Sequence, residues 1–386
     1  MKKRHVEIAG AGIAGLAAAV AFAQRGWTVS VHERSPAVRG EGAGIYLSEN
    51  GIRVLEALGV ADAALAGCHN GYLRDTRDEK NRLLARVPLG RERSLRLVSV
   101  VRLQLLQALT AAAQRAGANI EHGTAAVSAT SDGVLMLADG RQLAAELVIA
   151  ADGINSSIRD SLGLLERRKR FADGANRFLI PRLPEEQTSE AGRTYTEYWS
   201  GFRRILYTPC SQGDLYLALT SLNDDVEGTA VPVRKDVWKK SFPHLHAVID
   251  RIAGQGEWHS FEEVHLSRWS SGRVAIVGDA AHAQAPNLGQ GGGCSLMNAL
   301  GLAVATTEVA DALAALELWE ERERPLTEHT QFVSGLYSKL TTWPNSVRSI
   351  ILKAVDRSQW AMRQRMRTAR HVPTGTTGAK QTSITG

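Results

Sequence analysis

A glycine-rich turn between two short apolar segments constrains the fold of this chain more than any other feature. The apolar run from Val6 to Ala9 leads into GAGIAG, and an alanine-rich stretch then continues until Gly26. This order predicts a strand, a turn, a helix and a second strand. Gly10 would permit the tight turn, Gly12 the close approach of a pyrophosphate, and Gly15 the packing of the helix on the strand. The free N–H groups that begin such a helix bind phosphates.

An acidic residue follows the second predicted strand. Glu33 lies 23 residues after Gly10, close to the spacing of an acid that bonds ribose hydroxyls, and its carboxylate would repel a 2′-phosphate. The glycines alone are also typical of ordinary turns. Together with the flanking strands, helix and acid they predict a bound dinucleotide, without distinguishing FAD from NAD.

The cysteines and the apolar segments limit the class of protein. The three cysteines, Cys68, Cys210 and Cys294, are widely spaced, so they predict neither a metal site nor a disulfide framework and favour a reducing compartment. No apolar run is long enough to cross a membrane. The charged N-terminus leads into the first strand, which argues against a signal peptide. The expected location is the cytoplasm.

The chain is basic, with a formal net charge of +6 and a pI near 9.3. The favoured interpretation is a solvated charged surface, and the alternative is attraction of anionic ligands. The basic block at 167–170 is short and has no recognition motif beside it. Nucleic-acid binding is therefore not predicted.

Two later segments have the pattern of buried parallel strands. The apolar run 147–151 ends at Asp152, and the run 274–277 ends at Asp279. Between them, residues from about 165 to 266 are rich in strand patterns and in charged, proline-bearing connections. This order predicts an α/β domain into which a second, β-rich domain is inserted.

Three motifs occur in a fixed order: GxGxxG with its ribose acid, DGxxSxxR starting at Asp152, and GDAAHxxxPxxGQG starting at Gly278. Together they resemble the FAD-dependent aromatic hydroxylases, the para-hydroxybenzoate hydroxylase family, over nearly the whole chain to about residue 330. The resemblance implies an α/β fold with a Rossmann-like FAD-binding domain, an inserted β-sheet substrate domain and C-terminal helices. The expected segments are 1–75, 98–165 and 269–330 for the FAD-binding domain, 76–97 and 166–268 for the substrate domain, 331–370 for C-terminal helices, and 371–386 for a flexible tail.

The resemblance also implies the cofactor and its ligands. FAD is the expected cofactor, NADH (or NADPH) the transient reductant, and O₂ the co-substrate. Because a flavin hydroperoxide would deliver the oxygen, neither a catalytic side chain nor a metal is expected. The helix that starts in the GQG loop would face the flavin, and its N-terminus would stabilise the anionic reduced ring. The expected cofactor-binding residues are Gly10, Gly12, Ala14, Gly15, Glu33, Arg34, Arg39, Arg102, Asp152, Asp279, Pro286, Gly289, Gln290, Gly291 and Gly292.

A predicted hairpin, formed by residues 203–208 and 214–219, would supply the substrate face. Strand alternation puts Arg204, Thr208 and Tyr216 on one face of this hairpin. The guanidinium of Arg204 could bind a carboxylate with two hydrogen bonds, and Tyr216 could bond a ring hydroxyl or nitrogen. A surface arginine and a core tyrosine remain the alternative. The opposite face would be apolar, with Ile205, Tyr207, Leu215, Leu217 and Leu219.

Within the family, the segments around Tyr46, Arg204 and Gly278 are most similar to the pyridinecarboxylate monooxygenases of the 2-methyl-3-hydroxypyridine-5-carboxylate oxygenase type. This resemblance supports Arg204 and Tyr216 as substrate ligands and adds Tyr46 and Tyr72 as pocket residues. His282 is expected to be structural. Asn298 stands where the family often has an acid, which would change how its helix pairs with a neighbour.

The sequence thus predicts an FAD-dependent monooxygenase for a small, anionic, hydroxylated aromatic acid, namely a hydroxypyridinecarboxylate, with or without ring opening. The protein would be a monomer or homo-oligomer that binds neither nucleic acid nor membrane. One alternative is a salicylate- or hydroxynicotinate-type hydroxylase without ring cleavage. Another is a flavin-binding protein without turnover.

Overall fold

The computed structural model describes residues 4–38, 44–89, 95–343, 347 and 358–377. The strands in chain order are β1 (His5–Ala9), β2 (Thr28–Glu33), β3 (Gly44–Ser48), β4 (His69–Asn70), β5 (Leu73–Asp78), β6 (Leu83–Pro88), β7 (Leu97–Val101), β8 (Asn119–His122), β9 (Ala126–Thr130), β10 (Val134–Leu137), β11 (Gln142–Ala144), β12 (Leu147–Ala150), β13 (Leu165–Pro181), β14 (Tyr195–Ser200), β15 (Arg203–Pro209), β16 (Asp214–Leu222), β17 (His259–Leu266), β18 (Ser270–Ser271) and β19 (Val274–Ile276).

The described helices connect and cover these strands. In chain order they are α1 (Ile13–Gln24), α2 (Glu49–Ala57), α3 (Ala61–Ala64), α4 (Arg102–Arg115), α5 (Ser157–Ser161), α6 (Pro184–Thr188), α7 (Glu190–Arg193), α8 (Lys235–Ser241), α9 (His246–Asp250), α10 (Asp279–His282), α11 (Gly291–Glu308), α12 (Ala312–Lys339) and α13 (Gln359–Met366).

A six-stranded sheet forms the centre of the first domain, in the order β18-β19-β12-β1-β2-β8. All neighbouring pairs are parallel except β18–β19. Helix α1 packs between α4 and α11 and is apolar all round, so nine of its residues are buried. The predicted strand, glycine turn, helix and strand are confirmed, and the carboxyl ends of β1, β2, β12 and β19 lie along one edge.

A seven-stranded sheet forms the second domain, in the order β17-β13-β16-β15-β14-β5-β6. The inserted β-rich domain predicted from the sequence is therefore present, and two strands from the earlier part of the chain, β5 and β6, complete it. Two three-stranded sheets accompany the large ones. The first of these has the strand order β3-β7-β4, and its strand β7 leads directly into α4. The second consists of β9, β10 and β11.

The two faces of the large sheet differ, as the alternation of the hairpin predicts. Ile205, Tyr207 and Leu217 lie on one face, in an apolar cluster with Trp238 and Phe242, which belong to the segment 235–242 that covers it. Cross-strand pairing puts the intervening residues on the opposite face, which we call the inner face. The inner face comprises Ala175, Arg177, Leu179, Glu197, Trp199, Arg204, Leu206, Thr208, Tyr216, Ala218 and Thr220.

The C-terminal segment differs in part from the expected flexible tail. Thr376 is buried, and Thr374 Oγ1 donates a 2.7 Å hydrogen bond to Glu323 in α12. Residues 371–377 thus pack on the helices, and residues 378–386 lie outside the described part of the chain. Among the described residues, no helix has both the length and the apolarity needed to cross a membrane.

Candidate active site

The glycine turn after β1 leaves space on one side only. Gly10 has a φ of +99°, and a Cβ there would lie 2.4 Å from the carbonyl oxygen of Ala151. A Cβ on Gly15 would lie 1.9 Å from the carbonyl oxygen of Gly10. By contrast, a Cβ on Gly12 would meet no described atom within 4 Å. Gly10 and Gly15 are therefore required by the fold itself, whereas Gly12 faces open space, as expected where a phosphate approaches the backbone.

Glu33 lies beside this turn at the end of β2. Its carboxylate accepts hydrogen bonds of 2.8 Å from the backbone N–H groups of Ala11 and Ser35. Each carboxylate oxygen has further acceptor capacity, so the side chain can still accept from a ribose hydroxyl. Arg34 is exposed next to it, and Arg39 lies outside the described residues.

Asp279 lies at the start of α10, where the edge of the first sheet meets the second domain. The residue is exposed to solvent, yet burial raises its pKa while Arg102 and Arg177 lower it. An exposed carboxylate that is nevertheless crowded by protein atoms lies inside a cleft. Ala14 lines the floor beneath it, since a Cβ on Gly278 would be 2.7 Å from the Ala14 Cβ.

Asp152 ends β12 in the same region. Its Oδ2 accepts a long, 3.4 Å hydrogen bond from the backbone N–H of Ile158, so it helps to cap α5. Its buried Oδ1 has no hydrogen-bond partner among the described residues, and burial raises the pKa of the carboxyl. An unpartnered buried oxygen costs stability unless a ligand or water supplies a donor. This atom therefore fits a cofactor contact as well as the capping role.

Ser156 and Arg159 brace the same loop. Ser156 Oγ accepts from the backbone N–H of Arg159 at 3.0 Å and caps α5. The fully buried Arg159 donates from Nη1 to the carbonyl oxygens of Ile154 and Ala280 at 2.9 and 3.2 Å. The guanidinium thus ties the loop after β12 to α10 and fixes the position of Asp152 relative to Asp279.

The turn before α11 approaches the open space from another side. Pro286 begins a short 3-10 helix and is exposed, and Gly289 follows it with a φ of +63°. A Cβ on Gly289 would lie 3.2 Å from the Cβ of Tyr46, whereas a Cβ on Gly291 would find its nearest atom at 3.8 Å. The first N–H groups of α11 thus begin beside an open cleft, as the flavin-binding prediction requires. A Cβ on Gly292 would lie 2.7 Å from the side chain of Ile45.

The side chain of Gln290 is engaged within the protein. Its Nε2 donates to Ser48 Oγ at 2.8 Å, and its Oε1 accepts from Asn50 Nδ2 at 3.1 Å. The residue is buried. The prediction that Gln290 binds the cofactor therefore applies to its backbone, while its side chain connects the turn to the end of β3 and the start of α2.

The inner face of the second sheet brings three of the predicted substrate residues together. Tyr216 lies opposite Thr208 on neighbouring strands, and the hydroxyl of Tyr46 is 2.5 Å from Thr208 Oγ1. Burial raises the pKa of Tyr46 and of Tyr216, so both phenols are neutral hydrogen-bonding groups. Apolar side chains pack around Tyr216: Val101, Leu179, Leu206 and Ala218.

Arg204 lies on the same face but already has an anionic partner. Its Nη1 donates to Glu197 Oε1 at 2.8 Å, and its Nη2 lies 3.5 Å from Asn287 Oδ1, in the turn before α11. The guanidinium is 5.1 Å from the ring of Trp199. Arg204 is only 7% exposed, and its Nε has no partner among the described residues. The predicted cation is present, but its charge is compensated.

Arg177 was not predicted from the sequence, although it connects the two halves of the cleft. It lies on β13 opposite Ala218. Its guanidinium lowers the pKa of Tyr216, which burial raises, and it also lowers the pKa of Asp279. Its position next to Tyr216 on the inner face follows from strand pairing. The available signal was therefore alternation along the strand that begins at Leu165, combined with its pairing to β16.

Tyr72 is the one predicted substrate residue that is not brought to this group. It is 39% exposed, and its ring lies 6.0 Å from the guanidinium carbon of Arg193. Within the described residues, no contact joins it to Tyr46, Arg204 or Tyr216.

His282 has the surroundings of a structural residue. It is 1% exposed, its ring lies 5.3 Å from that of Trp269, and Asn298 Nδ2 is 2.9 Å from its Nε2. Because the amide donates, Nε2 of the neutral ring must accept, and burial lowers the pKa of His282 to about 4. Asn298 also contacts Thr327 of α12, so the asparagine in place of an acid joins α10, α11 and α12 without adding a charge.

The residues of the cleft fit FAD. The open space at Gly12, the carboxylate of Asp279 and the unpartnered oxygen of Asp152 fit a pyrophosphate, a polyol and a polar ring edge, respectively. The described residues contain no group of His, Cys, Asp and Glu side chains that could hold a metal ion. Of the inner-face residues, Arg177 acts electrostatically on Asp279 and also on Tyr216.

Comparison with known proteins identifies the same architecture. The model of a family described as "FAD binding domain" matches residues 3–327. A 2-heptyl-3-hydroxy-4(1H)-quinolone synthase of Mycobacteroides abscessus is 40% identical over 93% of this chain and 96% of its own length. A 6-hydroxynicotinate 3-monooxygenase of Bordetella bronchiseptica is 28% identical over 86% of this chain and 91% of its own length.

A solved structure agrees with the whole fold. The tetrameric form of 2-methyl-3-hydroxypyridine-5-carboxylic acid oxygenase superposes with a TM-score of 0.87 at 34% identity. The superposition covers 97% of this chain and 100% of that one. The predicted resemblance to the aromatic hydroxylases, made on three motifs, is confirmed.

Proposed function

The chain belongs to the FAD-binding domain family and is an FAD-dependent aromatic monooxygenase, and from that premise we propose that its substrate is an uncharged N-heteroaromatic ring of the 2-alkyl-4(1H)-quinolone class. NADH or NADPH supplies two electrons, and one atom of O₂ replaces hydrogen at ring carbon 3 as a hydroxyl. The other oxygen atom leaves as water, whose formation consumes the two electrons and the hydride hydrogen of the reductant together with one proton from solvent.

The observation that carries this proposal is the ion pair between Arg204 and Glu197 on the inner face. A carboxylate substrate needs a cation whose charge is available, whereas a quinolone needs only hydrogen-bond donors for its ring oxygen. Tyr216 is such a donor, and the Arg177 guanidinium beside it interacts electrostatically with the Asp279 carboxylate. The name of the relative at 40% identity supports the same class of product.

Some residues of the cleft would bind the cofactor, and others would bind the substrate. FAD, when bound, supplies the redox and oxygen chemistry. Gly12 and the start of α11 would hold its phosphates and ring, Glu33 its ribose, and Asp279 its polyol chain. The protein must then orient the substrate ring and keep water away from it.

Apolar side chains on and beside the inner face would keep water away from the substrate ring. Leu179, Leu206 and Val101 pack around Tyr216, and they offer a surface that an alkyl substituent could bury at about 0.8 kcal/mol per CH₂. Tyr216 and Tyr46 would provide polar contacts beside this patch. A small carboxylated ring would leave much of this apolar patch exposed to water.

Oxygenation of a hydroxypyridinecarboxylate, the function predicted from the sequence, is the second candidate. It is supported by the TM-score of 0.87 to an oxygenase of that substrate type and by an arginine at the expected place on the sheet. Under this proposal Glu197 would have to release Arg204 when the substrate binds.

A substrate panel distinguishes these candidates. The purified protein, saturated with FAD, is assayed for NADH and NADPH oxidation with 2-heptyl-4(1H)-quinolone, 6-hydroxynicotinate and 2-methyl-3-hydroxypyridine-5-carboxylate, and products are identified by mass. We expect stimulated oxidation and the gain of one oxygen atom with the quinolone. Turnover of the pyridinecarboxylates alone would overturn the proposal, and a gain of two oxygen atoms would indicate ring opening. A protein that binds FAD but oxidises no reductant with any ligand would be the non-catalytic alternative.

A further inference from the structure

We infer that Glu197 determines the charge preference of the substrate site: by holding Arg204 in an ion pair, it makes the inner face select uncharged rings over carboxylate-bearing ones. This inference rests on the proposed function only in taking the inner face as the substrate face. It concerns Glu197, which no sequence motif identifies.

Strand pairing and side-chain contacts hold the ion pair in place on the inner face. Glu197 and Trp199 are alternate residues of β14, and Trp199 lies directly opposite Arg204 on β15. The carboxylate is 2.8 Å from Nη1, and the Trp199 ring supports the guanidinium at 5.1 Å. The side chain of Arg204 is 9% exposed and that of Glu197 26%. A pair this sheltered is screened much less than one on the surface.

A second acid lies within electrostatic range of Arg204. Asp173 is 1% exposed; burial raises the pKa of its carboxyl, and the charge of Arg204 lowers it. Its Oδ2 accepts a 3.0 Å hydrogen bond from Thr341 Oγ1, while its Oδ1 has no partner among the described residues. The charge of Arg204 thus also acts on a second carboxyl group, while its one ion pair among the described residues is with Glu197.

The donors that Arg204 retains suit a neutral oxygen. Its Nε is unpartnered among the described residues, and its Nη2 makes only the 3.5 Å contact with Asn287. A ring carbonyl could accept from these N–H groups without disturbing the ion pair. A carboxylate at the same place would contact the same guanidinium as the Glu197 carboxylate. The repulsion between the two negative charges would then weaken its binding.

The test is a charge-removing variant that keeps the hydrogen bond. In Glu197→Gln the amide oxygen still accepts from Nη1, while the positive charge of Arg204 is released. Binding is measured on the FAD-loaded, full-length protein as the change in flavin absorbance, so no turnover is required. The ligands are two matched pairs, 6-hydroxynicotinate with its carboxamide and 4-oxo-1H-quinoline-2-carboxylate with its carboxamide.

We expect Glu197→Gln to tighten binding of at least one carboxylate by about tenfold or more relative to its carboxamide, which corresponds to about 1.4 kcal/mol. Glu197→Asp retains the charge and should retain the preference of the parent protein. Glu262→Gln is the matched control, because it removes a carboxylate from a different ion pair, that with Arg168. It should leave the preference unchanged.

Two results would overturn the inference. One is a parent protein that binds the carboxylates more tightly than the carboxamides, and the other is a Glu197→Gln variant in which neither carboxylate gains affinity over its partner. Failure of the proposed function looks different, because the parent would then not turn over the alkylquinolone although Glu197→Gln still gains carboxylate binding.

Discussion

Gln290 Nε2 donates a 2.8 Å hydrogen bond to Ser48 Oγ, and this bond joins the turn that begins α11 to the end of β3. The turn faces the cofactor side of the cleft, whereas β3 contributes Tyr46 to the substrate side. Because both partners are buried, the two sides of the cleft are held in one fixed relation before any ligand binds.

Gln290→Ala tests this connection. The substitution leaves Ser48 and Asn50 without their partner, so we expect the free energy of unfolding to fall by about 1–3 kcal/mol. The affinity for FAD should fall as well, because the start of α11 loses its anchor. Denaturant unfolding of the apoprotein and FAD titration measure the two effects. Unchanged values for both would show that the backbone alone positions the turn.

Glu33→Ala addresses the predicted ribose contact. The carboxylate lies at the glycine turn and accepts from two backbone N–H groups, so its loss removes both an anchor of the turn and an acceptor for FAD. We expect a roughly tenfold or greater rise in the Kd for FAD. Glu257→Ala, which removes an exposed acid, is the control. Full retention of FAD by Glu33→Ala after dialysis would count against the ribose role.

Tyr216→Phe tests whether the inner face of the large sheet, and not the opposite face, binds the substrate. Loss of the hydroxyl on the inner face should raise the substrate KM roughly tenfold and leave FAD affinity unchanged. Tyr207→Phe is the matched control, since Tyr207 lies on the neighbouring strand but in the apolar cluster of the opposite face. It should change stability and not KM. Equal effects of the two substitutions on KM would remove Tyr216 from the substrate site.

The sequence predicted those parts of the site that depend on local pattern. The glycine turn and the acids Glu33, Asp152 and Asp279 lie at or just beyond the carboxyl ends of strands, so motif and strand pattern together located them; their roles as FAD ligands stay predictions. The faces of the hairpin were also predictable, because a residue's face depends only on whether its position is odd or even.

The parts that were missed depend on pairing between distant segments. Glu197 and Arg177 reach Arg204 and Tyr216 only because β14 pairs with β15 and β13 with β16, and no local pattern gives that order. The side chain of Gln290 bonds Ser48, which is 242 residues away in the chain. Its motif indicated the right turn but not the direction of the side chain.

The buried His282 predicts a particular dependence of stability on acid. Burial lowers its pKa to about 4 from an ordinary 6.5, so the neutral ring of the folded state resists protonation that the unfolded chain accepts. The stability due to the neutral ring is present above about pH 6.5 and declines as the pH falls towards about 4. Thermal unfolding of His282→Gln should be less sensitive to pH in this range. A pH dependence identical to that of the parent would contradict the assignment.

The contact between Thr374 and Glu323 gives the C-terminal segment a structural role that its composition does not suggest. Glu323 is 2% exposed, burial raises its pKa, and Thr374 Oγ1 is its hydrogen-bond donor at 2.7 Å. A raised pKa means that the protonated form is favoured on folding, and that this stability is lost as the pH rises through the folded-state pKa. Among the described residues, Thr374 Oγ1 is the hydrogen-bond donor that stabilises the charged form.

Thr374→Val removes that donor at nearly constant volume, so we expect the free energy of unfolding to fall by about 1–3 kcal/mol at neutral pH and by less in acid, where Glu323 is protonated. Glu323→Gln keeps an acceptor for Thr374 without the buried charge and should be neutral or stabilising at neutral pH. The double variant then reports the coupling between the two side chains. If Thr374→Val were as stable as the parent at neutral pH, residues 371–377 would contribute packing but no hydrogen bond to the fold.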